Sequence, residues 1–289
     1  MTSAPMPFRK VAIIGLGLIG GSLGLVLKKR FRGIEVMAIS RSSAKIQLAV
    51  RRKAIDRGST KPDKILPFAD LIIICTPVSS IPSWITLAEK FAKPGTHVTD
   101  VGSTKAALIR WAERKKTHNI RFVGSHPMAG SHQSGMEYAQ ESLFDGSLTF
   151  VTKTPKTDPA ALKKITAFWK RISKRICVLS PSAHDKIVSE ISHAPHALAA
   201  MMVLTAAPLS LPFAASGFLD TTRVAQGDPG LWRDIFEANR HFVLKNLKEK
   251  KRHLDRFIGF LAKNDTQAVH RWLQKASLTR RRLGHSIRG

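Results

Sequence analysis

The chain has 289 residues, with 47 lysines and arginines against 20 aspartates and glutamates, giving a formal charge of +27. At 43% hydrophobic and 23% charged residues it reads as globular, and its apolar periodic segments exclude disorder. Two cysteines, Cys75 and Cys177, exclude a disulfide scaffold and a cysteine-rich zinc site. Both fall in apolar runs and read as reduced, buried thiols of a cytoplasmic protein.

In chain order, the first 180 residues alternate short β-like runs with amphipathic stretches, the pattern of a parallel sheet covered by helices. Strands are expected at 10–14, 34–39, 71–75, 97–100, 121–124, 148–151 and 175–178. Helices are expected at 18–29, 42–52, 81–92, 105–115 and 159–172, the last opened by Asp158 as N-cap and Pro159 in the first turn. From Ser182 the strand pattern stops. Ile187, Ile191, Ala194, Leu198 and Met201 recur at helical spacing, and a second long helix starts at Asp228-Pro229. The expected organisation is therefore an α/β part over 1–180 and an all-helical part over 181–289.

Two stretches imitate membrane elements. Residues 11–27 carry no charge and follow Arg9-Lys10, but five glycines among them argue against a continuous helix. Residues 197–219 are apolar but are interrupted by Pro208 and Pro212. Both read as soluble structure, with no export signal.

Gly15-Leu16-Gly17-Leu18-Ile19-Gly20 follows the first strand and opens the first helix, which is the context that gives a G-x-G-x-x-G pattern its meaning. Gly15 permits a tight turn, Gly17 admits a pyrophosphate against the backbone, and Gly20 lets helix and strand pack closely. Leu18 and Ile19 lie at the helix N-terminus, whose amides hold phosphate. The chain is thus expected to carry a doubly wound Rossmann-type sheet. The second strand ends in Ser40-Arg41 rather than an acid. A hydroxyl and a guanidinium suit a 2′-phosphate, so NADP is expected over NAD.

Three polar segments follow apolar strands: Cys75-Thr76-Pro77, Asp100-Val101-Gly102-Ser103-Thr104-Lys105, and Gly124-Ser125-His126-Pro127-Met128-Ala129-Gly130. The carboxyl ends of strands in such sheets border the ligand crevice, so Ser103 and His126 are expected to converge there.

With these segments in view, the chain closely resembles the prephenate/arogenate dehydrogenase family of tyrosine biosynthesis over 10–240. The resemblance rests on GLGLIGGSL, DVGSTK, GSHPMAGSHQSG, SHAPH and TTRVAQGDPGLWRDIF, in that order. It implies a dinucleotide domain, an all-α dimerisation domain and oxidative decarboxylation of a cyclohexadienol. Its substrate would be prephenate or arogenate, which differ by a pyruvyl or an alanyl side chain. Neutral His126 suits acceptance of the substrate hydroxyl proton, since its reference pKa lies near working pH. By resemblance, Ser103 orients hydroxyl and nicotinamide, Thr76 borders the cofactor, and Ser192, His193 and His196 contact substrate. Arg223 is the candidate clamp for a substrate carboxylate. Pro195 is expected to kink the helix that carries the histidines, and Trp232 reads as packing. Glu190, His193 and His196 at three-residue spacing lack the second carboxylate–histidine set of a bundle metal site, so no metal is expected. The loop 131–135 holds no carboxylate for an arogenate ammonium; Glu137 is the nearby acid.

Two other readings stand beside this one. A dehydrogenase of the hydroxyisobutyrate or phosphogluconate type would use a lysine on the interdomain helix, where Lys186 lies. A dinucleotide-sensing nucleic-acid regulator would use the basic segment 241–289, with 13 lysines and arginines against Glu249, Asp255 and Asp265. That segment lacks a zinc-finger spacing, an aromatic RNA-binding motif and a helix-turn-helix. The apolar helices after residue 180 need a partner surface, and a symmetric homodimer is expected.

Overall fold

The computed structural model describes residues 6–130 and 133–288, with side chains through 283, so Ser131 and His132 of the glycine-rich loop lie outside the described residues. Six parallel strands form the main sheet: β1 (Lys10–Ile14), β2 (Glu35–Ile39), β3 (Arg57–Ser59), β4 (Leu71–Ile74), β5 (Thr96–Asp100) and β6 (Ile120–Phe122). Their spatial order is β3-β2-β1-β4-β5-β6. The chain runs outward from β1 to β3 and then returns to place β4 on the other side of β1, pairing Val11 with both Val36 and Leu71. This reversal opens a crevice beyond the carboxyl ends of β1 and β4.

Alternation along the central strands builds two cores. Val11 and Ile13 face one side with Leu23, Val26, Phe168 and Trp169, while Ala12 and Ile14 face the other with Ile81, Ile85 and Leu108. The first side is covered by α1 (Leu18–Arg30), α2 (Ser43–Arg51) and α5 (Pro159–Lys170). The second is covered by α3 (Ile81–Phe91) and α4 (Ala106–Lys115). Each fully buried isoleucine or leucine stabilises by about 1.5–3 kcal/mol. Asp158 caps α5 as expected, accepting from the amides of Ala160 and Ala161.

A second, three-stranded sheet departs from the sequence expectation. The strand expected at 121–124 ends at Phe122, and Ser125–Pro127 forms β7, antiparallel to β8 (Leu148–Thr152), which pairs in parallel with β9 (Arg175–Leu179). His126 therefore stands on a strand opposite Phe150 rather than in a loop. The bend has a polar cause. Ser125 Oγ donates to the Asp100 carbonyl at 2.6 Å, and the Gly124 carbonyl accepts from Thr152, which turns the chain out of the first sheet. Cys177 lies on β9 and Cys75 just beyond β4; both are free thiols, half-buried rather than buried.

The helical part begins with α6 (Pro181–Val188), a π-helical turn at Ser189–His193, and α7 (Ala194–Thr205). The expected disturbance at Pro195 takes this form: Pro195 has no N–H to donate back, and the widened turn precedes it. A 3-10 turn (Pro208–Phe213), α8 (Ser216–Thr222), a second 3-10 turn (Arg223–Gln226) and α9 (Pro229–Ala238) follow, with Asp228 capping α9 at the Leu231 amide. Two long helices, α10 (Arg240–Ala262) and α11 (Thr266–Arg288), complete the chain.

The chain divides into compact units at Met1–Arg240 and His241–Gly289. The sequence pattern changes at residue 180, yet α6–α9 belong to the same compact unit as the sheets, because α6 and α9 are hydrogen-bonded to the loops after β5 and β4. The run Pro181–Thr205 is long and apolar enough to cross a membrane by length and composition, with 33% of its most apolar window buried.

Candidate active site

The glycine turn has the geometry its sequence requires. Gly15 sits at φ +98°, and a Cβ there would lie 2.7 Å from the Cys75 carbonyl oxygen. At Gly20 a Cβ would collide with the Gly15 carbonyl oxygen at 2.0 Å, whereas at Gly17 it would meet nothing within 4 Å. Gly17 is the N-cap of α1 and offers no side-chain acceptor, and the first turn, with Leu18 and Ile19, holds no acid. The free amides and the open space above Gly17 fit a dinucleotide pyrophosphate. At the end of β2, Ser40 is buried and its Oγ accepts from the Ser42 amide at 3.3 Å, while Arg41 is exposed. Thr76, beyond β4, accepts from Ser80 Oγ at 2.8 Å.

A polar network lies beside these strand ends, buried in the protein. Lys105 and Asp100 are both fully buried and form an ion pair of 2.5 Å. Asp100 also accepts from the amides of Gly102 at 2.8 Å and Ser125 at 3.2 Å, so one carboxylate ties the loop carrying Ser103 to β7. Ser103 itself is half-buried. From β7, His126 Nδ1 meets His184 Nε2 at 2.9 Å, and His184 Nδ1 meets Asp185 Oδ1 at 2.8 Å. Asp185 reaches from α6 to cap α4, accepting from the amides of Lys105 and Ala106, each at 2.8 Å. Burial, then the charges of His184 and Lys105, hold the His126 pKa well below its usual 6.5, so its imidazole is neutral at physiological pH.

The histidines after Ser182 have separate partners. His193 is buried; its Nδ1 meets Asn239 Nδ2 at 3.0 Å, and the same Asn239 nitrogen donates to the Asp185 carbonyl at 2.8 Å. Burial lowers the His193 pKa to about 4. His196 is stacked flat on Trp232, with ring centroids 3.5 Å apart and planes 15° apart. Gly227 leaves room for that indole, since a Cβ there would lie 2.4 Å from Trp232 Nε1. His196 Nδ1 is buried without a hydrogen-bond partner among the described residues. Ser192 is half-buried on the π turn, and the exposed Arg223 begins the 3-10 turn packed against α7. No group of three metal-ligating side chains occurs among the described residues. Lys186, the lysine a hydroxyisobutyrate-type enzyme would use, is exposed.

The sequence reading named His126, His193 and His196 but not His184, Asp185 or Asn239. The adjacent His184-Asp185 pair, one turn inside the helix opened by Ser180-Pro181, was the available signal. Also unforeseen is Arg52, whose guanidinium donates to the carbonyls of Met136, Glu137 and Ala139 and so fixes the segment after the glycine-rich loop. Trp232 is packing, as expected, but what it packs is the His196 ring.

A switch-point glycine turn and a buried neutral histidine beside the same strand ends define a nicotinamide-dependent dehydrogenase. Residues 23–178 match the family model described as prephenate dehydrogenase, nucleotide-binding domain, and residues 180–275 match prephenate dehydrogenase, dimerization domain. The chain is 34% identical over 276 residues to the prephenate dehydrogenase of Bacillus subtilis, covering 92% of this chain and 74% of that protein. Its fold is similar to a crystal structure of prephenate dehydrogenase from A. aeolicus with hydroxyphenyl propionate and NAD+, at TM-score 0.89 and 27% identity, over 98% of this chain and 100% of that one. It is also similar to Synechocystis arogenate dehydrogenase, at TM-score 0.80 and 31% identity, over 94% and 98% of the two chains. The chain belongs to the prephenate dehydrogenase family. It is a dehydrogenase that carries out oxidative decarboxylation of prephenate or arogenate with a nicotinamide cofactor, and its matched dimerization domain supports homodimerisation.

Proposed function

We propose that His126 is the proton acceptor of this reaction, that Arg223 holds a substrate carboxylate, and that NADP is the preferred cofactor. The observation that carries the reading is the buried, neutral His126, whose Nδ1 is engaged by His184. Its Nε2 is then the nitrogen left to face a substrate hydroxyl. As that hydroxyl proton passes to Nε2, the carbinol C–H leaves as hydride. Loss of the ring carboxylate as carbon dioxide then returns its electron pair to the ring oxygen as a phenolate, which takes the proton back from Nε2 to give the phenol. When bound, the nicotinamide supplies the hydride acceptor. Aromatisation drives the reaction, so the protein has mainly to orient groups and take the proton; a well-placed base contributes about 10²–10⁴ in rate.

Ser103 borders the same strand ends and is assigned to orient the hydroxyl and the nicotinamide. Ser192, His193 and His196 are assigned to the substrate side by their place in the S-H-A-P-H element. Gly15, Gly17, Leu18, Ile19 and Gly20 hold the pyrophosphate, with Thr76 beside it. Ser40, whose Oγ already accepts from Ser42, has its O–H to donate, and with Arg41 it supports a 2′-phosphate.

The dimerisation part is proposed to begin at residue 181, in the cytoplasm. Leu204, Leu209 and Phe213 are 84%, 87% and 86% exposed around the end of α7, which supports a second protomer as their cover. The buried Asp185 and His193 on the same run, bonded inside the fold, argue against a lipid-spanning role. A positive field speeds capture of two polyanionic ligands, which takes only part of the charge of +27, and no nucleic-acid partner is proposed. Crossing prephenate and arogenate with NADP and NAD, and following reduced nicotinamide, tests this reading. NADP is expected to be reduced with at least one substrate, and faster turnover with NAD would refute the assignment of Ser40 and Arg41.

A further inference from the structure

The geometry points to a fixed-tautomer relay, Asp185–His184–His126, in which His184 and Asp185 are positioning residues that keep the lone pair of His126 on Nε2. This rests on the reading of His126 as proton acceptor. The backbone N–H groups of Lys105 and Ala106 can only donate, and they meet Asp185 Oδ1 and Oδ2. Both carboxylate oxygens are therefore acceptors, and His184 Nδ1, 2.8 Å from Oδ1, must carry a hydrogen. In a neutral His184 that leaves Nε2 bare. Facing it at 2.9 Å, His126 Nδ1 must then be the donor, and the neutral His126 ring has its acceptor at Nε2.

Burial sustains this pattern. His184 and Asp185 are 0% and 1% exposed, His126 is 8% exposed, and Phe150 packs on both imidazoles. Burial pushes the pKa of each imidazole down, so both rings are neutral before the reaction. The charged or titratable groups facing the relay are the Lys105–Asp100 pair from the loop after β5 and His193 from the π turn. The pair neutralises itself. When His126 takes a proton on Nε2, Asp185 two bonds away in the chain is the acceptor that steadies the imidazolium without leaving its helix cap. The same carboxylate thus holds the Ser103 loop and sets the tautomer of the base.

The test is long-range ¹H–¹⁵N NMR of the full-length dimer labelled with ¹⁵N-histidine, set beside steady-state kinetics of Asp185→Asn and His184→Gln. His126 signals are assigned by their loss in His126→Asn. Wild-type His126 is expected to be protonated on Nδ1 and bare on Nε2. In Asp185→Asn the amide must turn its N–H₂ toward either the Ala106 amide or the Lys105 amide and His184 Nδ1. In the second orientation the relay reverses and His126 becomes protonated on Nε2, which the spectrum reads directly. The variant's kcat is then expected to fall about 10²- to 10⁴-fold, with the KM for each ligand within about threefold. His184→Gln keeps an acceptor toward His126 and a donor toward Asp185, and is expected to retain kcat within about tenfold of wild type. A wild-type His126 protonated on Nε2, or wild-type kcat in an Asp185→Asn variant whose His126 is protonated on Nε2, overturns the relay. Should Asp185→Asn fail to fold, the wild-type tautomer and the His184→Gln kinetics decide. Normal turnover by His126→Asn would instead remove the underlying base assignment while leaving the tautomer result intact.

Discussion

Replacing Lys105 with methionine tests the buried network where fold and chemistry meet. Lys105 Nζ lies 2.5 Å from Asp100 Oδ2, and both side chains are fully buried. Methionine is close in volume, so the change removes a charge rather than opening a cavity. Asp100 keeps the amides of Gly102 and Ser125 but loses its only full counter-charge among the described residues. Removing one partner of a buried pair costs about 3–5 kcal/mol. At roughly 2–4 °C per kcal/mol for a chain of this size, Tm is expected to fall by about 10 °C at fixed protein concentration. The double variant Asp100→Asn/Lys105→Met leaves no uncompensated charge and is expected to be more stable than the single one. Kinetics give an independent readout. The Lys105 cation helps to hold the His126 pKa down, so its removal raises that pKa and moves the acid limb of kcat to higher pH. A Tm within about 2 °C of wild type, or an acid limb that stays in place, would refute the reasoning.

Three further outcomes are expected. Arg41→Ala should raise the KM for NADP by about 10-fold or more while changing that for NAD little, since a charge-assisted bond of about 1.5–3 kcal/mol is lost only with the 2′-phosphate; initial rates with each cofactor check this. Arg223→Ala should lower kcat/KM for substrate by about 10- to 150-fold with cofactor affinity intact, read from steady-state kinetics and cofactor titration. For stability against pH, His193 falls from 6.5 in the unfolded chain to about 4 when folded, so the unfolded state binds more protons between those values. Stability is therefore full above pH 6.5 and declines toward pH 4, with His193 alone contributing about 3 kcal/mol of the loss; Tm measured from pH 8 to pH 4.5 checks it.

Local features were legible in the sequence. The glycine turn, the strands β1, β2, β4 and β5 and the Asp-Pro starts of α5 and α9 are set by neighbours within a few residues, and the structure has them where the pattern puts them, whereas the short edge strand β3 (Arg57–Ser59) carries no such pattern. The second sheet was not legible, because β7 is only Ser125–Pro127 and its separation from β6 depends on Asp100 and Thr152, 25 and 28 residues from their partners. The same holds for Asp185. As a sequence position it is one acid in a helix, and its work is to cap a different helix 80 residues earlier. Arg52 likewise reads as the last basic residue of a helix until three carbonyls from 136–139 are placed around it. Basic residues of 241–289 partly pair within their own helix, as Lys251 with Asp255 and Arg252 with Glu249, but nothing in the structure explains the excess there.

Whether His126 takes the substrate proton is read from kcat of His126→Asn. Asparagine keeps a donor toward His184 and loses the basic nitrogen at the reacting end. Under saturating substrate and NADP, reduced nicotinamide should form about 10²- to 10⁴-fold more slowly than with wild type, with cofactor binding unchanged. Turnover near the wild-type rate in a variant that still binds both ligands would contradict it.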